Sequence, residues 1–144
     1  MKHTKSRAQY KLDFMNNSVN KLISLKYEAI RSGRNIKVIE EFDVEIKKLY
    51  KDIDTLNKSL KEFLATYVIE DIGLTFDEAL TNLNRCKRDL EYLEAAKDLN
   101  YYIQVRDETS EYISKRYEEC AVEVSKLYNS LHIAECTAEF DVDF

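Results

Sequence analysis

The chain has 144 residues, of which 44% are hydrophobic and 34% charged, and it carries a net charge of −5 at pH 7. That apolar share is too high for a disordered chain, and the length suits one domain whose core needs no metal or disulfide staple. The absence of proline and the presence of only two glycines, Gly33 and Gly73, exclude a fold of many tight turns and favour long helices.

The first predicted helix carries an apolar stripe of Leu12, Met15, Val19, Leu22 with Ile23, Tyr27 and Ile30, and it stops at Ser32-Gly33-Arg34-Asn35. Gly33 can adopt the left-handed conformation that closes a helix, and so short a connection makes the next helix an antiparallel neighbour. That second helix holds Ile39, Phe42, Ile46, Leu49, Ile53, Leu56, Leu60, Phe63 and Tyr67, spaced alternately three and four residues apart. Such a seam drifts against a straight helix and predicts a left-handed coiled-coil pairing, about 42 Å long at 1.5 Å per residue.

Thr75-Phe76-Asp77-Glu78 predicts the start of a third helix, with Thr75 capping the amide three residues on and Glu78 bonding back. Its buried face is Ala79, Leu83, Cys86, Leu90 and Leu93, with Leu80 beside it. The pattern loosens from Asp98 to Tyr101, and a fourth stripe follows: Ile113, Tyr117, Cys120, Val124, Leu127, Leu131. Tyr101 to Val105 either belong to this last helix or form an extended lead-in, with Asp107 or Thr109 able to cap a later start.

Two segments depart from helical periodicity. Val68 to Leu74 is apolar and β-branched, and Ala138 to Phe144 alternates Phe140, Val142 and Phe144 with Glu139, Asp141 and Asp143, the period of a half-buried strand. In an up-down-up-down bundle these segments share a pole, so they are expected to meet as a β-ribbon or an apolar plug. The expected fold is therefore all-α: an elongated antiparallel bundle of three to four long coiled-coil-like helices over residues 1–137. An acidic aromatic tail follows over 138–144, with a short ribbon formed near 68–74 and 138–144.

Catalytic chemistry is poorly supplied. The only histidines are His3, placed in a frayed terminus, and His132, placed near the end of the last helix where a cation complements the helix dipole. No metal-binding, phosphate-loop or dinucleotide motif is present, so no catalytic residue, metal or cofactor is expected. Cys86 and Cys120 fall on apolar stripes as small hydrophobes, and three cysteines without a C-x-x-C pair suggest a reducing compartment. No signal core or membrane-length apolar run occurs, which predicts a cytoplasmic protein without membrane contact. Abundant Lys, Ile, Asn and Tyr suggest an AT-rich bacterial or phage genome.

The net charge hides a gradient. Up to Asn35, eight Lys and Arg face only Asp13 and Glu28, whereas from Asp107 onward ten acids face Lys115, Arg116 and Lys126. Either the two regions neutralise one another or one serves a partner. Lys2, Lys5, Arg7 and Lys11 are the candidate phosphate contacts, although the basic residues spread around the helix. Phenols favour interfaces, and Tyr67 and Tyr117 fit core seams. Tyr101, Tyr102, Tyr112 and Tyr128 do not share one stripe, so with Phe140, Val142 and Phe144 they make the candidate partner-binding set.

The closing Glu-Phe-Asp-Val-Asp-Phe resembles the partner-recruiting tail of bacterial single-stranded-DNA-binding proteins, in which a terminal Phe fills a pocket ringed by basic residues, but an edge strand or core plug is the favoured role, with the recognition peptide as the alternative. Leu74-Thr75-Phe76-Asp77-Glu78-Ala79-Leu80, with Leu90, Leu93 and the closing Leu131 to Phe140, resembles the septicolysin-like family of small helical bacterial and phage proteins. There a T-L-T-E-A-L element opens a helix after a long hairpin. The resemblance covers the last half of the chain, departs from the family's Asn-Trp at Cys136-Thr137, and implies helical architecture with no established activity. The functional expectation is a non-enzymatic protein–protein interaction module that self-associates. Alternatives are a nucleic-acid-associated protein using the basic first helix and an acidic inhibitor of a host protein.

Overall fold

A computed structural model describes residues 1–103 and 107–143, including every side chain among them except those of 98–103 and 107. The fold is all-α with short β-ribbons. Four helices, α1 (Lys5–Arg31), α2 (Ile36–Thr66), α3 (Phe76–Ile103) and α4 (Asp107–Thr137), are accompanied by strands β1 (Lys2–Thr4), β2 (Val68–Ile69), β3 (Leu74–Thr75) and β4 (Glu139–Asp141). The chain forms two compact units, one of Met1–Phe63 with the segment from Glu135 onward, the other of Leu64–Ala134.

In the first unit, Thr4 has extended backbone and its hydroxyl accepts the Arg7 amide at 3.2 Å, opening α1. The helix closes on a left-handed glycine as expected: Arg34 N donates to Ala29 O at 3.0 Å, Gly33 N donates to Ile30 O at 3.1 Å, and Gly33 has φ +67°. This paired-bond stop satisfies carbonyls that the last turn would leave unmet. Asn35 then caps α2, its side-chain oxygen accepting the Lys37 amide at 3.1 Å.

The inward face of α1 is Ala8, Leu12, Met15 and Val19, continuing through half-buried Leu22 and Lys26 to buried Ala29. These positions step by four and three residues without a break. The expected stripe through Tyr27 and Ile30 is therefore corrected: both are exposed, at 57% and 44%. The seam keeps its phase, and that phase places Lys26 in an inward slot. Lys26 tolerates the slot because its stem covers apolar surface while its ammonium reaches Asp43 Oδ1 at 2.6 Å. On α2, Ile46, Ile53, Leu56, Leu60 and Phe63 are buried, and Ile39, Phe42 and Leu49 half-buried. Tyr67, expected in this seam, lies beyond the last turn of α2; it is exposed, with its ring centroid 6.1 Å from that of Phe76.

In the second unit β2 and β3 pair antiparallel, closed by Gly73 (φ +64°), whose amide donates to Ile69 O at 2.8 Å. Thr75 caps α3 as expected, its hydroxyl accepting the Glu78 amide at 3.2 Å. Phe76, Ala79 and Leu83 of α3 and Ile113, Cys120, Leu127, Leu131 and Ala134 of α4 are buried, while Leu80 is exposed. Tyr101 to Ile103 close α3 rather than opening the last helix; Gln104 and Val105 lie outside the described residues.

Both segments with strand periodicity contain strands, but they do not pair with each other. Val68 pairs with Thr75 and Ile69 with Leu74, whereas β4 pairs with β1, Lys2 opposite Asp141, His3 opposite Phe140 and Thr4 opposite Glu139. The first segment turns back on itself at Gly73. The second finds a strand in the extended residues that precede the α1 cap.

The seam phase is tested by urea unfolding. Leu56→Ala is expected to cost about 2–5 kcal/mol, as removal of a fully buried leucine does. Tyr27→Ser and Ile30→Ser should each stay within about 0.5 kcal/mol; a large loss at those two positions would restore the other phase.

Candidate interaction site

The first unit is closed at one end by a clasp of β1 and β4. Besides the ladder, the Met1 amine donates to Val142 O at 3.2 Å and Val142 N donates to Met1 O at 3.0 Å. Lys5 Nζ reaches Glu135 Oε1 at 2.8 Å, and Ser6 Oγ lies 3.8 Å from Cys136 Sγ. Strand alternation turns Phe140 and Val142 inward, 8% and 2% exposed, and leaves Glu139 and Asp141 in solvent. Phe140 stacks on Phe63 of α2, with centroids 4.7 Å apart and an interplanar angle of 20°.

Opposite Phe140 sits His3, 2% exposed, its ring centroid 6.4 Å from that of Phe140. Neither ring nitrogen has a hydrogen-bond partner, an arrangement that costs about 1–3 kcal/mol for a neutral polar group and more for a charged one. Burial, reinforced by the positive charges of Lys11, Arg7 and the Met1 amine, holds His3 below the usual imidazole range. The expectation that His3 is frayed is thus corrected: pairing with β4 carries the residue inside.

Phe140 and Val142, expected on a partner-binding surface, are corrected likewise, because they are spent on the protein's own interior. Phe144 lies outside the described residues, as do the side chains of Tyr101 and Tyr102. Tyr112 and Tyr128 are exposed on α4, at 62% and 56%. Their separation along the helix corresponds to about 160° of rotation and about 24 Å of rise, so they do not share a patch. Tyr128 stacks instead on His132, at 6.3 Å, and α4 runs past His132 to Thr137. Among the candidate phosphate contacts, Lys2 and Arg7 are exposed, Lys11 is half-buried, and Lys5 is held by Glu135.

Elsewhere, Cys86, Asp89, Arg116, Glu119, Cys120 and Glu123 line a depression of about 290 Å³ in the second unit. Burial raises the Cys86 thiol above its ordinary range, and the nearby Cys120, Glu123 and Asp89 add to the effect, which opposes nucleophilic chemistry at neutral pH. Among the described residues no three His, Cys, Asp or Glu side chains are grouped to hold a metal ion.

An apolar groove lies beside the expected stripe. At the apex of the α1–α2 hairpin, Leu25, Ala29, Val38 and Phe42 line a groove of about 250 Å³ edged by Glu28, Ser32 and Arg34. Tyr27, Ile30, Ile36 and Val44 are exposed on the same two helices but do not line this groove, and Tyr10 and Phe14, one turn apart, are exposed farther along α1. Continuing the four-three spacing from Ala8 through Lys26 to Ala29 would have located this surface, because it leaves Leu25 outside the seam beside small Ala29.

No protein-family model matches the chain, and neither does any curated protein or solved structure in the comparisons made.

Phe140→Ala is expected to lower the unfolding free energy by about 3 kcal/mol, the cost of emptying a packed phenyl site. An unchanged urea midpoint would show instead that the β4 aromatics are dispensable to the fold.

Proposed function

We propose that the protein is a non-enzymatic protein–protein interaction module, acting as a scaffold, adaptor or stoichiometric regulator, and that a second copy of this chain is its first partner. The apical groove carries this reading. Isolated apolar side chains are ordinary on a protein surface, but a concave site lined by Leu25, Ala29, Val38 and Phe42 is the kind of feature that association covers. The charges around it suit self-pairing. Toward the apex α1 and its closing turn carry Lys21, Arg31 and Arg34 against Glu28, and α2 begins with Lys37, Glu40, Glu41 and Glu45, while Lys26 and Asp43 are paired within the chain. One helix is thus basic and the other acidic, and α1 of one copy beside α2 of another brings opposite signs together. The basic first helix is a weaker basis for nucleic-acid binding, since the Lys5 ammonium is occupied by Glu135.

Sedimentation equilibrium from about 1 to about 100 µM should reveal a species heavier than the 17.0 kDa monomer. Leu25→Lys should weaken its formation at least tenfold without changing helical content, a loss of about 1.4 kcal/mol or more. A monomer throughout this range would refute self-pairing.

A further inference from the structure

We propose that His3 is a proton-operated latch: taking up a proton at its buried imidazole parts β1 from β4 and releases the segment from Ala138 onward from the α1–α2 hairpin. This rests on the geometry of the clasp alone and stands whether or not the apical groove binds a partner.

The latch is a strand of three residues whose central side chain is the one that titrates. His3 faces Phe140 across the ladder, and Phe140 in turn stacks on Phe63. The imidazole is therefore part of the contact that seats the C-terminal strand. It is 2% exposed, and both nitrogens lack partners. In its neutral form the ring leaves one donor and one acceptor unmet. A protonated ring would place two unmet donors and a full charge in the same enclosure, and such a state is relieved only by moving the ring to water.

The surrounding charges offer the cation no refuge. On its own side of the clasp stand the Met1 amine, Lys2, Lys5, Arg7 and Lys11. From the elements packed against it, β4 contributes Glu139 and Asp141, which alternate with Phe140 and point to solvent, and Asp143 beyond them is also exposed. At the end of α4, Glu135 is engaged by Lys5 at 2.8 Å. On α2, the exposed Lys61 and Glu62 precede Phe63. None of these carboxylates accepts a hydrogen bond from the ring.

The direction with pH follows from linkage. The clasped state holds His3 neutral, with its proton affinity reduced by burial and by Lys11, Arg7 and the Met1 amine. In the released state the ring regains its ordinary value near 6.5. Below that value the released state binds a proton that the clasped state refuses, so clasp stability falls with falling pH. The released population should grow as pH falls through about 6.5, by at most about tenfold per pH unit, levelling off once the depressed value of the clasped state is passed. This window opens before most carboxylates titrate. Release would present an acidic segment bearing Phe140 and Val142, and it would uncover Phe63.

Hydrogen–deuterium exchange of the intact protein from about pH 5 to about pH 7.5, corrected for intrinsic exchange chemistry, tests the latch. The amides of Phe140 and Val142 should lose protection progressively below about pH 6.5, by up to about tenfold per pH unit, while those of Ile46 to Leu60 in α2 keep theirs. His3→Phe, which preserves a ring without a titrating nitrogen, should make the Phe140 and Val142 protection insensitive to pH. NMR titration of the wild-type His3 ring provides a readout that does not depend on the variant folding. A ring that titrates near 6.5 while β4 stays protected, the same pH response in His3→Phe, or simultaneous loss of protection in α2 would each overturn the proposal.

Discussion

The uninterrupted four-three spacing of inward positions on α1, from Ala8 to Ala29, is the constraint on which the first unit depends. A helix can bury only one stripe, and a stripe at this spacing must keep its phase from end to end. Hydrophobicity therefore does not decide, residue by residue, what enters. Lys26 occupies an inward slot, held to Asp43, while its neighbour Tyr27 and the more apolar Ile30 are left outside. This ion pair is partly open to solvent and adds little to stability on its own. The apical groove is a by-product of the same phase, because small Ala29 and flanking Leu25 stand where a bulkier inward residue would have filled the space.

What could be read from the residues alone was local. The Gly33 stop, the α2 seam from Ile46 to Phe63 and the Thr75 cap each depend on side chains within a turn or two of one another, and each appears where the residues indicate. The α1 stripe slipped by one position beyond Leu22, because the apolar character of Tyr27 and Ile30 outweighed a periodicity that admits lysine. Tyr67 continued the seam on paper but falls past the end of α2, where helical spacing no longer governs its direction.

The clasp was only half legible. Alternation in the closing residues announced a strand with an inward face, and Phe140 and Val142 do point inward. Its partner could not be read from spacing, because β1 is three residues long and has no periodicity of its own. His3 follows from that gap: a histidine near the start of a chain looks solvated until a distant strand covers it. The tyrosine set was drawn from composition, and α4 separates Tyr112 from Tyr128 by the rotation of the helix itself, so a shared surface was never available to them. The apolar apex was the feature that composition and the expected stripe both concealed.

The hydrogen bond between Met1 and Val142 links groups 141 positions apart in sequence. Closing so long a loop costs more conformational entropy than closing the few residues around Gly33 or Gly73, and the reward is a short ladder, one aromatic stack, one ion pair and the buried Val142. Local turns are therefore the cheaper closures and the clasp the costlier one. By the same reasoning it is a natural first point of fraying, so the unit can shed its closing strand without surrendering the seam beneath it.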